Sequence, residues 1–326
     1  DRSNSMALNM ACKHRKIKSF VLQHGIFYSY QWYIDNNKKE IEHFKKLGDK
    51  WGSELEEGQQ WYLLKFLLRT TRWNFPGALI FFFKFLILKK YHGKNLQIFI
   101  KALNSRHLIP HKYLVFTKEN SQFFVERNRA LPNDFVEIGN PFLDDYFGTP
   151  PSEKGDYYLL IDEPLAYIND FNSDGFFTKE EVINYQKKLN DFAKSKGKKL
   201  VIKLHPYSYN NDFYLQDENI TYLENVEIPP LIHQAIGIFG TSSTLLIPSV
   251  FVNKCVIFNI WEFSEFELDC EKWGLVQKLN FHDFNTADID FNSFSKTPEN
   301  LQRMTEKYMY KIDGKATERL KQEFLK

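Results

Sequence analysis

Two short polar stretches in the second half of the chain carry residue types that suit phosphate chemistry. The first is Lys203-Leu204-His205-Pro206, and the second is Gly240-Thr241-Ser242-Ser243-Thr244. Each closes an apolar run that is typical of a buried parallel strand. Because open α/β sheets bind ligands at the carboxyl ends of their strands, we expect both stretches to meet at one site.

His205 and Lys203 form the cationic half of this predicted site. An imidazole at the end of a buried strand can donate a hydrogen bond to a phosphate oxygen, and as imidazolium it can also donate a proton. Pro206 follows directly and belongs to the same motif. A histidine that only caps the edge of a sheet is the structural alternative.

The hydroxyl cluster forms the other half of the predicted site. The N–H groups at the start of the following helix and the hydroxyls of Ser242, Ser243 and Thr244 would bind an anion, which the helix dipole favours. An ordinary Ser/Thr N-cap explains the same residues without any ligand. Taken with His205, however, Gly240 to Thr244 predict an enzyme that uses a nucleotide-activated donor.

A group transfer also needs a base for the acceptor hydroxyl. Asp174, in Ser173-Asp174-Gly175, is the best-placed carboxylate, although Asp-Gly alone is more often a turn. Asp162 and Glu163 compete with it because they lie closer to the end of a predicted strand. We also count Glu163 among the donor-binding residues.

The first half of the chain contributes one further candidate, His24 in Gln23-His24-Gly25. It follows the first predicted strand, as His205 follows a later one, and would contact an acceptor or serve as a second base. Asn140 and Asp144 would cap or line the floor of the cleft, or serve only as turn residues. The remaining histidines show no metal-ligand spacing, so we predict no metal and no cofactor.

The bulk properties predict two lobes and argue against nucleic acid as a partner. The chain has 326 residues, and its 43 basic and 41 acidic residues leave a net charge of +2. Three cysteines, an odd number, favour a reducing cytosol. No signal peptide is visible, and the opening Asp1-Arg2-Ser3 resembles the middle of a domain, so we expect residues to precede it.

One apolar segment raises the question of a membrane. Residues 77 to 88 are almost entirely apolar, with Lys84 near their centre and further lysines after them. The segment is too short and too charged to span a bilayer of about 30 Å. The segment fits a buried helix and an interfacial helix around 77–90 equally well. An interfacial helix would place a cytoplasmic protein on the inner membrane.

Strands and helices alternate along most of the chain, which predicts an α/β fold of two Rossmann-like lobes. We expect an N-terminal lobe over 1–150 with a helical insertion at about 30–106, a donor lobe over 151–297, and a terminal helix over 298–326 that crosses back to the first lobe. Thr178 and Glu181 form a predicted capping box at the start of a helix that runs to Lys196.

These motifs resemble those of a known family. Leu160-Ile161-Asp162-Glu163-Pro164-Leu165, the Asp174-Gly175 element, the His205-Pro206 motif and the Ser242-Ser243 motif occur in the order seen in bacterial sialyltransferases and polysialyltransferases of the GT-B type, similar to glycosyltransferase family 52. Ser173 stands where that family has a carboxylate, and residues 166 to 172 are additional. Gln23-His24-Gly25 is more similar to CDP-glycerol transferases and capsule Kdo transferases.

The resemblance implies an inverting, metal-independent glycosyltransferase that acts in bacterial surface polysaccharide synthesis. It would move sialic acid, another nonulosonic acid or Kdo from a CMP-activated donor to a glycan or lipid-linked acceptor. Asp174 would be the base, His205 would bind and protonate the departing phosphate, and Ser242 and Ser243 would bind that phosphate. The alternatives are a UDP-sugar 2-epimerase or hydrolase, a CDP-glycerol transferase with His24 as base, and a non-catalytic glycan-binding protein.

Overall fold

The chain divides into two compact units, Asp1–Gly139 (unit 1) and Asn140–Lys326 (unit 2). The division falls at Gly139, before the predicted boundary at 150. The computed structural model describes residues 8–9, 11–13, 15–23, 25–26, 69, 80, 83–84, 87, 109–122, 124–125, 130–148, 153–163, 165, 177–209, 214–241, 243–259, 265–294 and 296–326. Most of the predicted helical insertion at about 30–106 therefore lies outside the described residues.

Nine strands are described. They are β1 (Phe20–Leu22), β2 (Lys112–Val115), β3 (Phe135–Glu137), β4 (Tyr157–Ile161), β5 (Lys199–Lys203), β6 (Ile220–Leu223), β7 (Ile238–Gly240), β8 (Cys255–Asn259) and β9 (Val276–Asn280). The α-helices whose ends lie within the described residues are α1 (Asp144–Gly148), α2 (Lys179–Ser195), α3 (Ile228–Gln234), α4 (Leu246–Val252), α5 (Glu265–Lys272), α6 (Pro298–Met304) and α7 (Ala316–Leu325).

Unit 1 contains a three-stranded parallel sheet in the order β1-β2-β3. The central strand β2 runs into Phe116, which has no exposed surface. Tyr113 stacks on Phe135 of the neighbouring strand with 5.3 Å between the ring centroids. Apolar side chains on β2 thus hold this short sheet together.

Unit 2 contains a six-stranded parallel sheet in the order β6-β5-β4-β7-β8-β9. From β4 the chain winds outward through β5 and β6, then returns to β7 on the other side of β4 and winds outward again. This is the doubly wound strand order, and the reversal between β4 and β7 opens a crevice at the carboxyl ends of the strands. The predicted α/β class with parallel sheets is confirmed.

The core of unit 2 is rich in aromatic side chains. Strands β4, β5 and β8 are almost continuously buried, as expected for parallel strands covered on both faces. Helix α2 packs its buried face on the sheet, where Tyr158 and Phe192 meet edge to face at 5.2 Å. The predicted capping box starts this helix, since Thr178 and Glu181 bond each other's backbone N–H groups.

The C-terminal tail differs from the single amphipathic helix that we predicted over 298–326. Helix α6 passes into a wide π-turn over Thr305–Met309, and the chain leaves this turn at Tyr310 with φ of 65°. Helix α7 then begins at Ala316. Its first turn is bonded to Asp144, which belongs to the same unit.

The two sheets share one local arrangement where their first strand ends. In unit 1, Leu22 pairs with Leu114, and the backbone N–H of Phe116 donates to the Gln23 side chain at 2.8 Å. In unit 2, Ile161 pairs with Lys203, and the backbone N–H of His205 donates to the Asp162 carboxylate at 3.1 Å. Gln23 and Asp162 therefore occupy equivalent positions, as do Phe116 and His205.

Candidate active site

A cleft of about 570 Å³ lies at the carboxyl ends of the strands of unit 2. The ends of four neighbouring strands contribute to it, since Glu163 follows β4, His205 follows β5, Glu224 follows β6 and Ser243 follows β7. Its lining residues are Glu163, Lys203, His205, Pro206, Tyr209, Glu224, Asn225, Val226, Ile228, Ser243, Thr244 and Leu245. The two polar stretches thus border one cleft.

His205 stands where β5 passes into a tight turn. Its backbone N–H is held by Asp162, and its carbonyl accepts the N–H of Ser208 at 2.8 Å, which closes the turn over Pro206–Ser208. Burial lowers the pKa of His205, and the neighbouring Lys203 lowers it further. The imidazole therefore faces the cleft mainly in its neutral form at neutral pH, able to donate one hydrogen bond.

Lys203 is the last residue of β5 and is only 9% exposed. Its ammonium donates to the carbonyl of Leu204 and lies 5.7 Å from the centroid of the Tyr209 ring. Burial lowers the pKa of Lys203, while the negative charges of Asp162 and Glu224 act in the opposite direction. Lys203 thus supplies positive charge to one wall of the cleft.

Glu163 joins the ends of β4 and β7. Its side chain is hydrogen-bonded to the hydroxyl of Ser243, and burial raises the pKa of Glu163, with the nearby Asp162 adding to the rise. The Ser243 oxygen also accepts the N–H of Leu245 at 3.4 Å. One hydroxyl of the predicted anion site is therefore linked to a carboxyl group that resists ionisation.

The residues of the Gly240–Thr244 stretch have different surroundings. Ser243 and Thr244 line the cleft, whereas Gly240 and Thr241 are buried beneath it. A Cβ at Gly240 would approach Cδ2 of Leu246 to 2.8 Å, so glycine permits the close packing of β7 on α4. The residue at the N-cap of α4 is Leu245, which makes no side-chain cap.

Three predicted site residues lie outside the described residues: Asp174, His24 and Ser242. Their roles stay predictions. Asn140 accepts the N–H of Phe142 at 3.0 Å and begins a short 3-10 turn, and Asp144 holds the start of α7. Both residues thus serve a turn or a helix start, and neither lines the cleft.

The far wall of the cleft was missed by the sequence analysis. Glu224 and Asn225 follow β6 directly, and the hydroxyl of Tyr209 donates to Oδ1 of Asn225 at 3.3 Å. Val226 and Ile228 add apolar surface beside them. The rule that ligands bind at strand ends, applied to β6, would have found this pair.

Neither a metal centre nor a membrane span is found in the part of the chain that the structure describes. No group of three or more histidine, cysteine or acidic side chains is placed there to hold a metal ion. Within the same residues, no helix combines the length and the apolar character that crossing a bilayer requires. Cys12, Cys255 and Cys270 are free thiols.

Comparison with known proteins gives one family and several distant structures. The family described as alpha-2,8-polysialyltransferase (POLYST) matches residues 2–259. No curated protein sequence matches the chain.

Three solved structures illustrate the structural similarity. The UDP-GlcNAc 2-epimerase from Methanocaldococcus jannaschii is 16% identical, with a TM-score of 0.43 over 72% of this chain and 67% of that one. The wall teichoic acid polymerase TagF is 13% identical, with a TM-score of 0.38 over 64% and 56%. The glycosyltransferase SnogD from Streptomyces nogalater is 8% identical, with a TM-score of 0.40 over 74% and 81%.

Proposed function

Because the chain belongs to the alpha-2,8-polysialyltransferase family, we propose that it is a glycosyltransferase of the GT-B type that uses a CMP-activated donor. The transferred sugar would be sialic acid, another nonulosonic acid or Kdo, and the acceptor a hydroxyl group of a bacterial surface glycan or glycolipid. The cleft of unit 2 would be the donor site.

The single observation that carries this proposal is the meeting of Lys203, His205, Ser243 and Thr244 around one cleft. The volume of about 570 Å³ lies within the range of small-molecule sites and is sufficient for a nucleotide. Positive charge, an imidazole and hydroxyl groups are the protein groups that bind phosphate oxygens. Glu224 and Asn225 offer acceptors to hydroxyl groups such as those of a ribose.

The chemistry we propose is the departure of CMP from the anomeric carbon of the sugar. As the bond between that carbon and the phosphate oxygen breaks, negative charge grows on the phosphate, and fixed donors stabilise it. A largely neutral His205 would donate its ring N–H to the departing phosphate oxygen, and this hydrogen bond would strengthen as negative charge develops there. Asp174 stays the proposed base for the acceptor hydroxyl, which would attack from the opposite face and invert the anomeric centre.

The segment around 77–90 supports a proposed peripheral contact with a membrane. Ile80, Phe83 and Ile87 are helical and more than half exposed, and Lys84 lies among them. Their spacing places the three apolar residues along one side of a helix. Such a surface would bring the enzyme to a lipid-linked acceptor on the cytoplasmic face of the inner membrane.

The proposal is tested by asking which nucleotide the cleft binds and which donor it consumes. We expect CMP to raise the melting temperature more than CDP, UDP or GDP. We also expect CMP release from a CMP-sugar in the presence of a glycan acceptor. Ser243→Ala should weaken both, while Ser293→Ala, a change at an exposed serine outside the cleft, should weaken neither.

Other outcomes would favour the alternatives. Turnover of CDP-glycerol, lost in His24→Ala but not in Asp174→Ala, would favour a phosphopolyol transferase. Release of UDP from UDP-GlcNAc would favour an epimerase or hydrolase. Glycan binding without turnover of any donor, retained in His205→Ala, would favour a non-catalytic protein.

A further inference from the structure

We propose that Asp162 is a positioning residue, whose ionised carboxylate holds the His205–Ser208 turn so that the imidazole of His205 faces the donor. This proposal rests on the proposed function for its catalytic consequence, but the contacts on which it depends do not. Asp162 is then neither a base nor a donor ligand, although its place near a strand end makes it a competing carboxylate by sequence.

The contacts of Asp162 join the first strand of the sheet to both ends of the turn. Its backbone N–H donates to the carbonyl of Lys203 at 3.0 Å, which continues the ladder between β4 and β5. Its carboxylate accepts the backbone N–H of His205 at 3.1 Å and a hydrogen bond from the Ser208 side chain. One side chain therefore fixes the residue before Pro206 and the last residue of the turn.

Asp162 lies behind the cleft rather than in it. It does not line the 570 Å³ cleft, although Glu163, Lys203 and His205 do. It borders instead an enclosed cavity of about 10 Å³, together with Tyr185, Gln186 and Thr241. A carboxylate in this position can act on the reaction only through the residues that it holds.

Two buried hydroxyl groups border the enclosed cavity together with Asp162. The buried hydroxyls of Tyr185 and Thr241 have no hydrogen-bond partner among the described residues. The cavity is close to the size of a single water molecule. Lys203, Glu163, Tyr185 and Tyr222 are the titratable groups whose charges act on this carboxylate or feel it.

The equivalent position in unit 1 shows that the contact itself does not need a charge. There the amide of Gln23, which is 1% exposed, accepts the N–H of Phe116 in the same register. A neutral side chain can thus bridge the ends of two parallel strands. What the ionised carboxylate adds is a second strong acceptor for Ser208 and a negative charge beside Lys203.

The ionisation of Asp162 falls in a range that experiments can reach. Burial raises the pKa of Asp162 to about 6, although its hydrogen bonds and Lys203 act in the opposite direction. Because this pKa lies above the ordinary value, the Asp162 carboxyl group contributes most to folding stability below about pH 4, where it is protonated, and that contribution is lost as the pH rises through 6. Above pH 6 the ionised carboxylate of Asp162 holds the turn most strongly. The same ionisation lowers the free energy of unfolding, because the charge is buried.

The test compares Asp162→Asn with the wild type, using Asp191→Asn at an exposed position of α2 as a matched control. We expect Asp162→Asn to melt at the same temperature as the wild type or higher at pH 7.5. We also expect kcat/KM with the CMP-sugar to fall about 10- to 100-fold, because the neutral amide lacks the second strong acceptor for Ser208 and the negative charge beside Lys203, so the imidazole is held less firmly. The wild type should lose kcat/KM as the pH falls below 6, and the variant should lose that dependence.

Two outcomes would overturn the proposal. The first is an unchanged kcat/KM and pH profile in Asp162→Asn. The second is a parallel loss of melting temperature and activity, which would show a purely structural role.

A measurement without turnover separates this proposal from the proposed function. With ¹³C-labelled histidine, the His205 resonance of the wild type should show an additional titration step near pH 6, and Asp162→Asn should lack it. If no CMP-sugar is consumed but the step is present, the positioning role stands and only the function fails. If the wild type lacks the step, the coupling between Asp162 and the turn is disproved.

Discussion

Gln23 in unit 1 and Asp162 in unit 2 make the same contact with different chemistry. Each follows the first strand of a parallel sheet. Each accepts the backbone N–H of the residue two positions after the register partner of that strand's last residue. In unit 1 the residue so held is Phe116, which is fully buried, and in unit 2 it is His205, which borders the cleft. One local backbone arrangement therefore serves a core in one sheet and a site in the other.

The difference separates what the fold requires from what the site requires. A side chain that joins two strand ends needs only a hydrogen-bond acceptor for a backbone N–H group. The buried amide of Gln23 provides this acceptor without the cost of burying a charge. Asp162 carries that cost, as its raised pKa shows. Groups that are unfavourable for stability are expected where they serve function.

The strongest test of the comparison replaces His205 with the residue that unit 1 has at the equivalent position. In His205→Phe the aromatic ring is retained and the hydrogen-bond donor is lost, so we expect kcat/KM with the CMP-sugar to fall about 10²- to 10⁴-fold. The melting temperature should change little, because phenylalanine suits the same backbone position in unit 1.

His282→Phe is the matched control for this variant. His282 is exposed and its ring lies parallel to that of Phe177 at 5.7 Å, so the same substitution there retains the stacking and leaves the cleft untouched. Turnover should match that of the wild type. If His205→Phe also retains full turnover, His205 has no role in the reaction.

The reverse exchange places a carboxyl group in unit 1. In Gln23→Glu the new side chain, once ionised, can no longer donate to the carbonyl of Gly25, which Gln23 does at 2.9 Å, and it is almost fully buried. Burial should raise its pKa, so the free energy of unfolding should fall as the pH rises from about 4 and should be about 3 kcal/mol below that of the wild type at pH 7.5. Urea unfolding at pH 5 and pH 7.5 measures this.

Gln122→Glu, at an exposed position of the same unit, is the control for the added charge. It should unfold like the wild type at both pH values. A Gln23→Glu variant as stable as the wild type at pH 7.5 would mean that the strand-end position tolerates charge, and the contrast with Asp162 would lose its meaning.

The parts of the fold that the sequence predicts well are those with a strong local signal. Strands β4, β5 and β8 are continuous apolar runs, and Thr178 with Glu181 marks the start of α2. Strand β9 was missed because it lies at the edge of the sheet, buries only Val276 fully and shows no clear pattern. Helix α5 was missed as well, and it buries only Phe266 and Cys270. The break in the tail at Tyr310 was missed because positive φ is rare for a residue other than glycine.

The site was predictable in its residue types but not in its connections. Lys203, His205, Ser243 and Thr244 were found because each follows or ends an apolar run. The role of Asp162 depends on the pairing of Ile161 with Lys203, which sets His205 opposite the carboxylate and which only the assembled sheet defines. Tyr209 and Asn225 likewise meet only after β6 is placed beside β5.

The smallest expected effect comes from Asp144, another carboxylate that accepts backbone N–H groups. It separates the holding of a backbone from a role in the site. Its two oxygens accept the N–H groups of Ala316 at 3.1 Å and Thr317 at 2.7 Å, in the first turn of α7. Negative charge at a helix start is favourable, and losing a cap costs about 1 kcal/mol. Asp144→Ala should therefore make the amides of α7 exchange hydrogen about fivefold faster, with Asp145→Ala as the control.

Turnover per folded molecule is the decisive measurement for this variant. Asp144 does not line the cleft, so Asp144→Ala should retain the kcat/KM and the pH profile of the wild type while α7 loosens. Asp162→Asn should show the opposite, retaining stability and losing kcat/KM. If the two carboxylates instead behave alike, then holding a backbone N–H group accounts for everything Asp162 does, and its charge adds nothing to the position of His205.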